Sequence, residues 1–244
     1  MAIKHLAVYV VICYSLFSKT MKTTFNLKAF KPLSISFIIA LLSISFTSCK
    51  KSTPEPTQAS ALNAINAAAT SSPQDFYVDN TKVNTSAMAY TQSTGYVIIS
   101  GGHQFTFETS STSNVNNSFF ATLISGQYYS LYYTDDGNVV ATLDDKTAPQ
   151  AGKARVRFIN MSSYVNSNVD FLIAGGGTLV SGLAYKTPSI YNDVATTSTF
   201  TLNSAGTTTV LLNIPATLTA GKIYTIYIAG TTQATLSYNL VTEN

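Results

Sequence analysis

Short apolar stretches separated by turn residues follow one another through the second half of the chain. They predict seven strands, at Arg155–Asn160, Val169–Ala174, Ser189–Val194, Thr199–Asn203, Thr208–Ile214, Ile223–Ala229 and Ala234–Val241. Glycine, asparagine and serine, which favour turns, lie between several of these stretches. No long stretch has the spacing of an amphipathic helix. The pattern therefore predicts an all-β domain, either an immunoglobulin-like or transthyretin-like sandwich or, less favoured, a barrel.

The same pattern occurs earlier in the chain. Shifted by 95 positions, "DFYV" at Asp75 aligns with "DFLI" at Asp170, and "ATLISGQYYSLYY" at Ala121 aligns with "ATLTAGKIYTIYI" at Ala216. With a one-residue change of register, Leu62–Asn66 aligns with a predicted strand, so we expect a strand there despite its alanine content. A period this long indicates two copies of a domain, not a solenoid.

A third apolar run, ending at Phe46, precedes both copies. Lysines lie before it, and Thr47, Ser48 and Cys49 follow it. A basic segment, an apolar run too short to span a bilayer and small residues before a cysteine are typical of a secretion signal. The pattern resembles the lipoprotein signals common in Bacteroidetes, which implies lipid attachment to Cys49 and cleavage just before it. An ordinary secretion signal is the alternative.

These patterns divide the chain into five segments. We favour Met21 as the start of the signal, because Lys22 follows it directly. The predicted organisation is a signal region at 1–48, a lipid-anchored linker at 49–60, a β-sandwich domain at 61–145, a linker at 146–153 and a second β-sandwich domain at 154–244.

Removing the signal region changes the charge of the chain. The whole sequence carries a formal charge of +3, but five of its 14 basic residues and none of its 11 acidic residues precede Cys49. The remainder has a net charge of −2, so we expect no nucleic-acid partner. That remainder also holds one cysteine and one histidine, too few for a Cys/His zinc site. We expect no metal and no cofactor.

The order of motifs in the second copy resembles a known family. "ARVRFIN", "VDFLI", "LAY" and "LTAGKIYTIYI" occur in that order from Ala154 to Gly230, and the first copy fits more loosely. They resemble the domain of unknown function 4397 family. The resemblance implies tandem β-sandwiches in a secreted or surface-anchored bacterial protein, and it implies no particular activity.

Two tyrosines have equivalent places in the copies. Tyr129 in "LISGQYY" and Tyr224 in "LTAGKIY" each begin a strand just after a glycine turn. This arrangement is similar to a tyrosine corner, in which the hydroxyl bonds to nearby backbone while the ring packs inward. A tyrosine that contacts a ligand is the less favoured alternative.

A candidate binding surface follows from the alternation of side chains along a strand. If Tyr129 points inward, then Tyr128 and Tyr132 point outward, and so does Tyr227 in the second copy. Exposed aromatic rings on one face indicate a contact surface for a sugar or a protein. The favoured alternative is that the two domains, or a loop, cover this face.

The sequence holds little that resembles catalytic machinery. His103 is expected at a turn, and the second copy has no histidine. Asp135–Asp136 is expected in a hairpin turn, and neither this pair nor Asp144–Asp145 recurs in the second copy. Arg155 and Arg157 alternate with apolar residues, which predicts a solvated face.

We therefore expect a non-catalytic lipoprotein of the cell envelope. It would be anchored in the outer membrane through its N-terminal lipid, on the periplasmic side or at the cell surface. The favoured function is a binding or adhesion module for a glycan or an envelope protein. A structural spacer or assembly component is the alternative, and a hydrolase is the least favoured.

Overall fold

The computed structural model describes residues 59–244, which form two β-sandwiches of eight strands each. The first contains β1 (Ser60–Asn66), β2 (Gln74–Val78), β3 (Thr81–Lys82), β4 (Ser93–Ile99), β5 (Gly101–Thr109), β6 (Asn114–Leu123), β7 (Tyr128–Tyr133) and β8 (Val139–Asp144). The second contains β9 (Lys153–Asn160), β10 (Val169–Ile173), β11 (Thr178–Leu183), β12 (Asn192–Ala195), β13 (Phe200–Ser204), β14 (Val210–Ile214), β15 (Ile223–Ala229) and β16 (Ser237–Thr242). A short 3-10 turn, Gln233–Thr235, precedes β16.

Each sandwich consists of two four-stranded sheets with the same topology. In the first sandwich, sheet A has the order β4-β1-β7-β8 and sheet B has the order β3-β2-β5-β6. In the second, sheet C (β12-β9-β15-β16) and sheet D (β11-β10-β13-β14) repeat these orders. In both, the first strand pairs in parallel with the seventh, and the other strand pairs are antiparallel. The tandem β-sandwich prediction is confirmed.

The sequence pattern located most strands and missed one. The strand predicted at Leu62–Asn66 is confirmed as part of β1. In the second sandwich, β11 was not predicted, because its residues are mostly exposed at the edge of sheet D and show no apolar alternation. The strand expected at Ser189–Val194 begins later, at Asn192.

Each sandwich has its own apolar core. Aromatic residues fill both cores: Phe76, Phe105 and Phe107 of sheet B in the first, and Phe158 of sheet C against Phe171 of sheet D in the second. A third cluster lies between sheets A and C and contains residues of both sandwiches. Both sandwiches accordingly belong to one compact unit.

Candidate functional site

The face predicted to carry ligands is the contact between the sandwiches. Tyr132 and Tyr227 are fully buried, and their rings meet edge to face with centroids 5.7 Å apart. Ile65 and Ile159, at equivalent places of β1 and β9, are buried in the same cluster. The prediction of one exposed surface through Tyr128, Tyr132 and Tyr227 is wrong for the last two rings, because sheet A covers sheet C. The alternative that the domains cover this face is the one observed.

Tyr128 alone remains open among the three candidate tyrosines. Its side chain is 40% exposed at the start of β7, where the contact between sheets A and C ends. The Lys146 ammonium lies 4.8 Å from the centre of the Tyr128 ring and 3.7 Å from that of Tyr96. A shallow groove runs past Tyr128 between residues 126–128 and 143–147. Burial lowers the pKa of Lys146.

A buried charged cluster lies in the same contact. The guanidinium of Arg157, on β9, pairs with the carboxylates of Asp144 on β8 and Glu243 after β16. Arg157 also donates to the hydroxyl of Thr225 (2.6 Å) and to the carbonyl of Leu143 (2.8 Å). The prediction that Arg157 lies on a solvated face is wrong, because the face of sheet C that carries it packs on the first sandwich; its side chain is 2% exposed.

The cluster is nearly symmetric between the repeats. Tyr96 donates to Asp144 and Tyr191 donates to Glu243, each at 2.7 Å. The two carboxylates occupy matching positions: Asp144 pairs with Tyr128, the first residue of β7, and the N–H of Glu243 bonds to the carbonyl of Ile223, the first residue of β15. The arginine has no counterpart, because Asn63 of β1, which pairs with Ser130, occupies the position of Arg157 in β9, which pairs with Thr225. One arginine therefore serves two carboxylates.

Burial governs the protonation of this cluster. It raises the pKa of Glu243, and the nearby Arg157 guanidinium opposes that rise. Burial together with the carboxylate charges raises the pKa values of Tyr96 and Tyr191, so both hydroxyls stay protonated and donate. The groups thus bond one another, and we assign them the role of joining the sandwiches.

The tyrosine-corner contact is present in both sandwiches. The hydroxyl of Tyr129 accepts a hydrogen bond from the backbone N–H of Ile124 at 3.1 Å, and that of Tyr224 accepts one from Thr219 at 3.1 Å. The glycine turn before Tyr224 has Gly221 at φ +80°, a backbone conformation that glycine adopts without strain. Both rings pack against their own sandwich core.

The Tyr224→Phe variant is expected to lose about 1 kcal/mol of unfolding free energy, because it removes one backbone hydrogen bond without removing ring packing. Urea denaturation of the variant and the unmodified protein measures the difference. Tyr238→Phe is the control, because the Tyr238 hydroxyl donates at an exposed site. Equal effects of the two substitutions would contradict the corner.

His103 pairs with Asp79 at the surface. The ring Nδ1 lies 2.5 Å from the carboxylate of Asp79, and Nε2 lies 2.8 Å from the carbonyl of Ser100. His103 lies within β5, not in a turn as predicted. No hydroxyl or thiol nucleophile is paired with it, so the described contacts of His103 do not form a catalytic triad.

The hydrogen bond from His103 to Asp79 raises the pKa of the histidine. A histidine pKa above its unfolded value of about 6.5 stabilises the fold below that pH, and the contribution is lost as pH rises through the raised pKa. NMR titration of the imidazole should give a pKa above the ordinary value and a lower one in Asp79→Asn. An unchanged value in the variant would contradict the pair.

The aspartate pairs form no metal site in the part of the chain that the structure describes. Asp135 and Asp136 lie in the β7–β8 hairpin, as predicted, and Asp136 pairs with Lys186 of the second sandwich. Burial opposes ionisation of Asp136, but hydrogen bonds from Lys186 and Thr134 lower its pKa. Within residues 59–244 no group of three His, Cys, Asp or Glu side chains is placed to hold a metal ion.

An exposed aromatic ring lies on the outer face of sheet B. Phe120, on β6, is 66% exposed and lies over Gly102 on the neighbouring strand. A Cβ at Gly102 would come within 2.6 Å of the ring, so the glycine is what lets the ring lie close to the sheet. The second sandwich has Pro215 and Thr197 at these places. The arrangement therefore belongs to the first sandwich alone.

Uncharged polar groups surround this ring on the same face. Tyr77 pairs across the sheet with Thr106, and Thr106 with Ser118, while Gln104 pairs with Phe120. The Ser118 hydroxyl lies 2.7 Å from both the Gln104 amide nitrogen and the Thr106 hydroxyl. We call these five residues the Phe120 face. Sequence reasoning missed it, because Gly102 and Phe120 come together only through the pairing of β5 with β6.

The family comparison supports the resemblance found in the sequence. The family model described as "Domain of unknown function (DUF4397)" matches residues 60–167. The match covers the whole first sandwich and β9, whereas the sequence motifs appeared stronger in the second copy. No curated protein matches the chain.

Two solved carbohydrate-binding modules share a distant similarity with the chain. One, of family CBM26 from Eubacterium rectale Amy13K in complex with maltoheptaose, is 12% identical with a TM-score of 0.25, covering 75% of this chain and 96% of that one. The other, a family 41 module from streptococcal virulence factors, is 11% identical with a TM-score of 0.22, covering 72% and 95%. Similarity at this level does not define a common site.

The predicted lipidation residue, Cys49, lies outside the described residues. So does the apolar run before it. Among residues 59–244 there is no helix long and apolar enough to cross a membrane.

Proposed function

We propose that this protein is a non-catalytic, lipid-anchored module of the bacterial cell envelope that binds a glycan through the Phe120 face. The observation that carries the proposal is the exposed Phe120 ring held against the sheet over Gly102. An aromatic ring offers a flat apolar surface to the C–H face of a sugar. The amide of Gln104 and the hydroxyl of Ser118 offer donors and acceptors to sugar hydroxyls.

The charges around the site favour a neutral ligand. The Phe120 face contains no acidic or basic side chain, and the charged neighbours Lys82 and Asp79 are paired, with Asp75 and His103 respectively. The buried charged cluster of Arg157 is closed between the sandwiches, so it offers no surface to an anionic ligand. An envelope protein is the second class of ligand that this face would fit. Binding to such a protein, with no binding to any glycan, would favour protein recognition as the function.

Binding to a glycan array is expected for the purified protein and is expected to be lost in Phe120→Ala, because stacking on an aromatic ring cannot be replaced by a methyl group. Val115→Ala is the matched control, because Val115 is 60% exposed on the same strand, β6. Circular dichroism verifies that both variants fold. Glycan binding that survives Phe120→Ala unchanged would contradict the assignment of the face.

A structural spacer is the second candidate function. It is supported by the contact between sheets A and C, which fixes the two sandwiches through Arg157, Asp144 and Glu243. A rigid pair of domains holds a fixed distance between its ends. Absence of any glycan or protein ligand for the unmodified protein would favour this function.

A further inference from the structure

Several strand ends of the first sandwich meet near Ser60, close to where the described part of the chain begins. Ser60, the first residue of β1, pairs with Ile99 at the end of β4, and its hydroxyl donates to the carbonyl of Ile124 at 2.7 Å. The next residue pairs with Tyr128 at the start of β7, which in turn pairs with Asp144 at the end of β8. We call this the Ser60 end.

Exposed apolar side chains concentrate at the Ser60 end. Ile98 is 73% exposed, Ile124 67%, Leu143 55% and Tyr128 40%. Ile98 also borders an open apolar groove of about 460 Å³ that Val78, Val83 and Val97 line. Single exposed apolar residues are ordinary, but four of them lie at this one end of the first sandwich, and such a concentration indicates an interaction site.

The charges at this end are mostly basic or paired. Lys153 and Lys222 flank the start of β9, where the N–H of Arg155 bonds to the carbonyl of Lys222. The acidic groups have cationic partners, since Asp145 and Asp193 share Arg155, and Asp79 pairs with His103. Lys146, over the Tyr128 ring, adds a further positive charge. Lys146 and Lys222 donate to the backbone carbonyls of Glu243 and Asn244, and neither pairs with a carboxylate side chain in the described structure. Lysines beside exposed apolar side chains complement anionic lipid headgroups.

The chain length outside the structure indicates what covers this patch. Ser60 lies 11 positions after Cys49, so a lipid there would hold the Ser60 end within roughly 35 Å of the bilayer, at about 3.3 Å per residue. We infer that the Ser60 end rests on the lipid bilayer, with Ile98, Ile124 and Leu143 entering the boundary between headgroups and acyl chains. This inference rests on the proposed lipid anchor.

A tryptophan reporter tests this contact, since the chain contains no tryptophan. The Ile124→Trp variant, extracted as full-length processed protein, is reconstituted into phosphatidylethanolamine–phosphatidylglycerol vesicles whose acyl chains carry bromine. The emission should shift to shorter wavelength and fall about twofold, as for a side chain buried several ångströms into the interface. Ile98→Trp is a second reporter that should give the same result.

Val115→Trp is the matched control. Val115 is 60% exposed on β6 but lies near its other end, so it should show neither shift nor quenching. Equal quenching at positions 115 and 124, or none at 98 and 124, would overturn the inference. Intact-mass analysis of the same samples reports on Cys49 separately: an unmodified Cys49 would overturn the anchor itself, and the inference with it, whereas lipidated protein without quenching would overturn the inference alone.

Discussion

Replacing Arg157 with methionine is expected to lower the unfolding free energy by about 3–5 kcal/mol, because it leaves two buried carboxylates without their cation. Asp144 and Glu243 both contact the same guanidinium nitrogen, Nη2, and both side chains are fully buried. Neither can reach water to compensate. Urea denaturation at neutral pH measures the loss.

Two comparisons isolate the cause of this loss. Arg155→Met removes a partly exposed arginine two residues away on the same strand, and it should cost about 1 kcal/mol or less. Adding Asp144→Asn and Glu243→Gln to Arg157→Met should recover much of the loss, because the uncompensated charges are gone. A loss no larger than that of Arg155→Met would show that the cluster does not hold the sandwiches together.

The second large effect is expected at the contact between the Tyr132 and Tyr227 rings. Tyr227→Ala should cost about 3–5 kcal/mol, because it opens a cavity against Tyr132 in the contact between sheets A and C. The Tyr227 hydroxyl has no hydrogen-bond partner in the described structure. Tyr227→Phe should therefore be neutral or slightly stabilising.

Thermal and urea unfolding of both variants measure the difference. A small effect of Tyr227→Ala would mean that the second sandwich does not use this face to bind the first. A large loss in Tyr227→Phe would mean instead that the hydroxyl has a partner.

The repeat and the strands were predictable, because they depend on local patterns of apolar and turn residues. The strand at Leu62–Asn66 could be predicted only from its alignment with the second copy, since its alanines alone favour a helix. The hairpin at Asp135–Asp136 followed from its turn residues. Each of these features is determined within a few residues of the chain or by the repeat itself.

The contact between the sandwiches was not predictable with the same rules. In β1 and β15 every residue is buried, because one face meets the sandwich core and the other meets the second sandwich. The alternation of side chains assigns one face of each strand to solvent, and it therefore predicted that Tyr132, Tyr227 and Arg157 are exposed. The partners of Arg157 lie 13 and 86 residues away along the chain, and no local pattern connects them.

The measurement that tests the proposed function most directly is NMR mapping of amide shifts in the protein during titration with a glycan identified on the array. The account predicts shifts at Gly102, Gln104, Thr106 and Phe120, with little change around Tyr132 and Tyr227. Shifts confined to residues 126–128 and 143–147, or no shifts at all with any glycan, would contradict it.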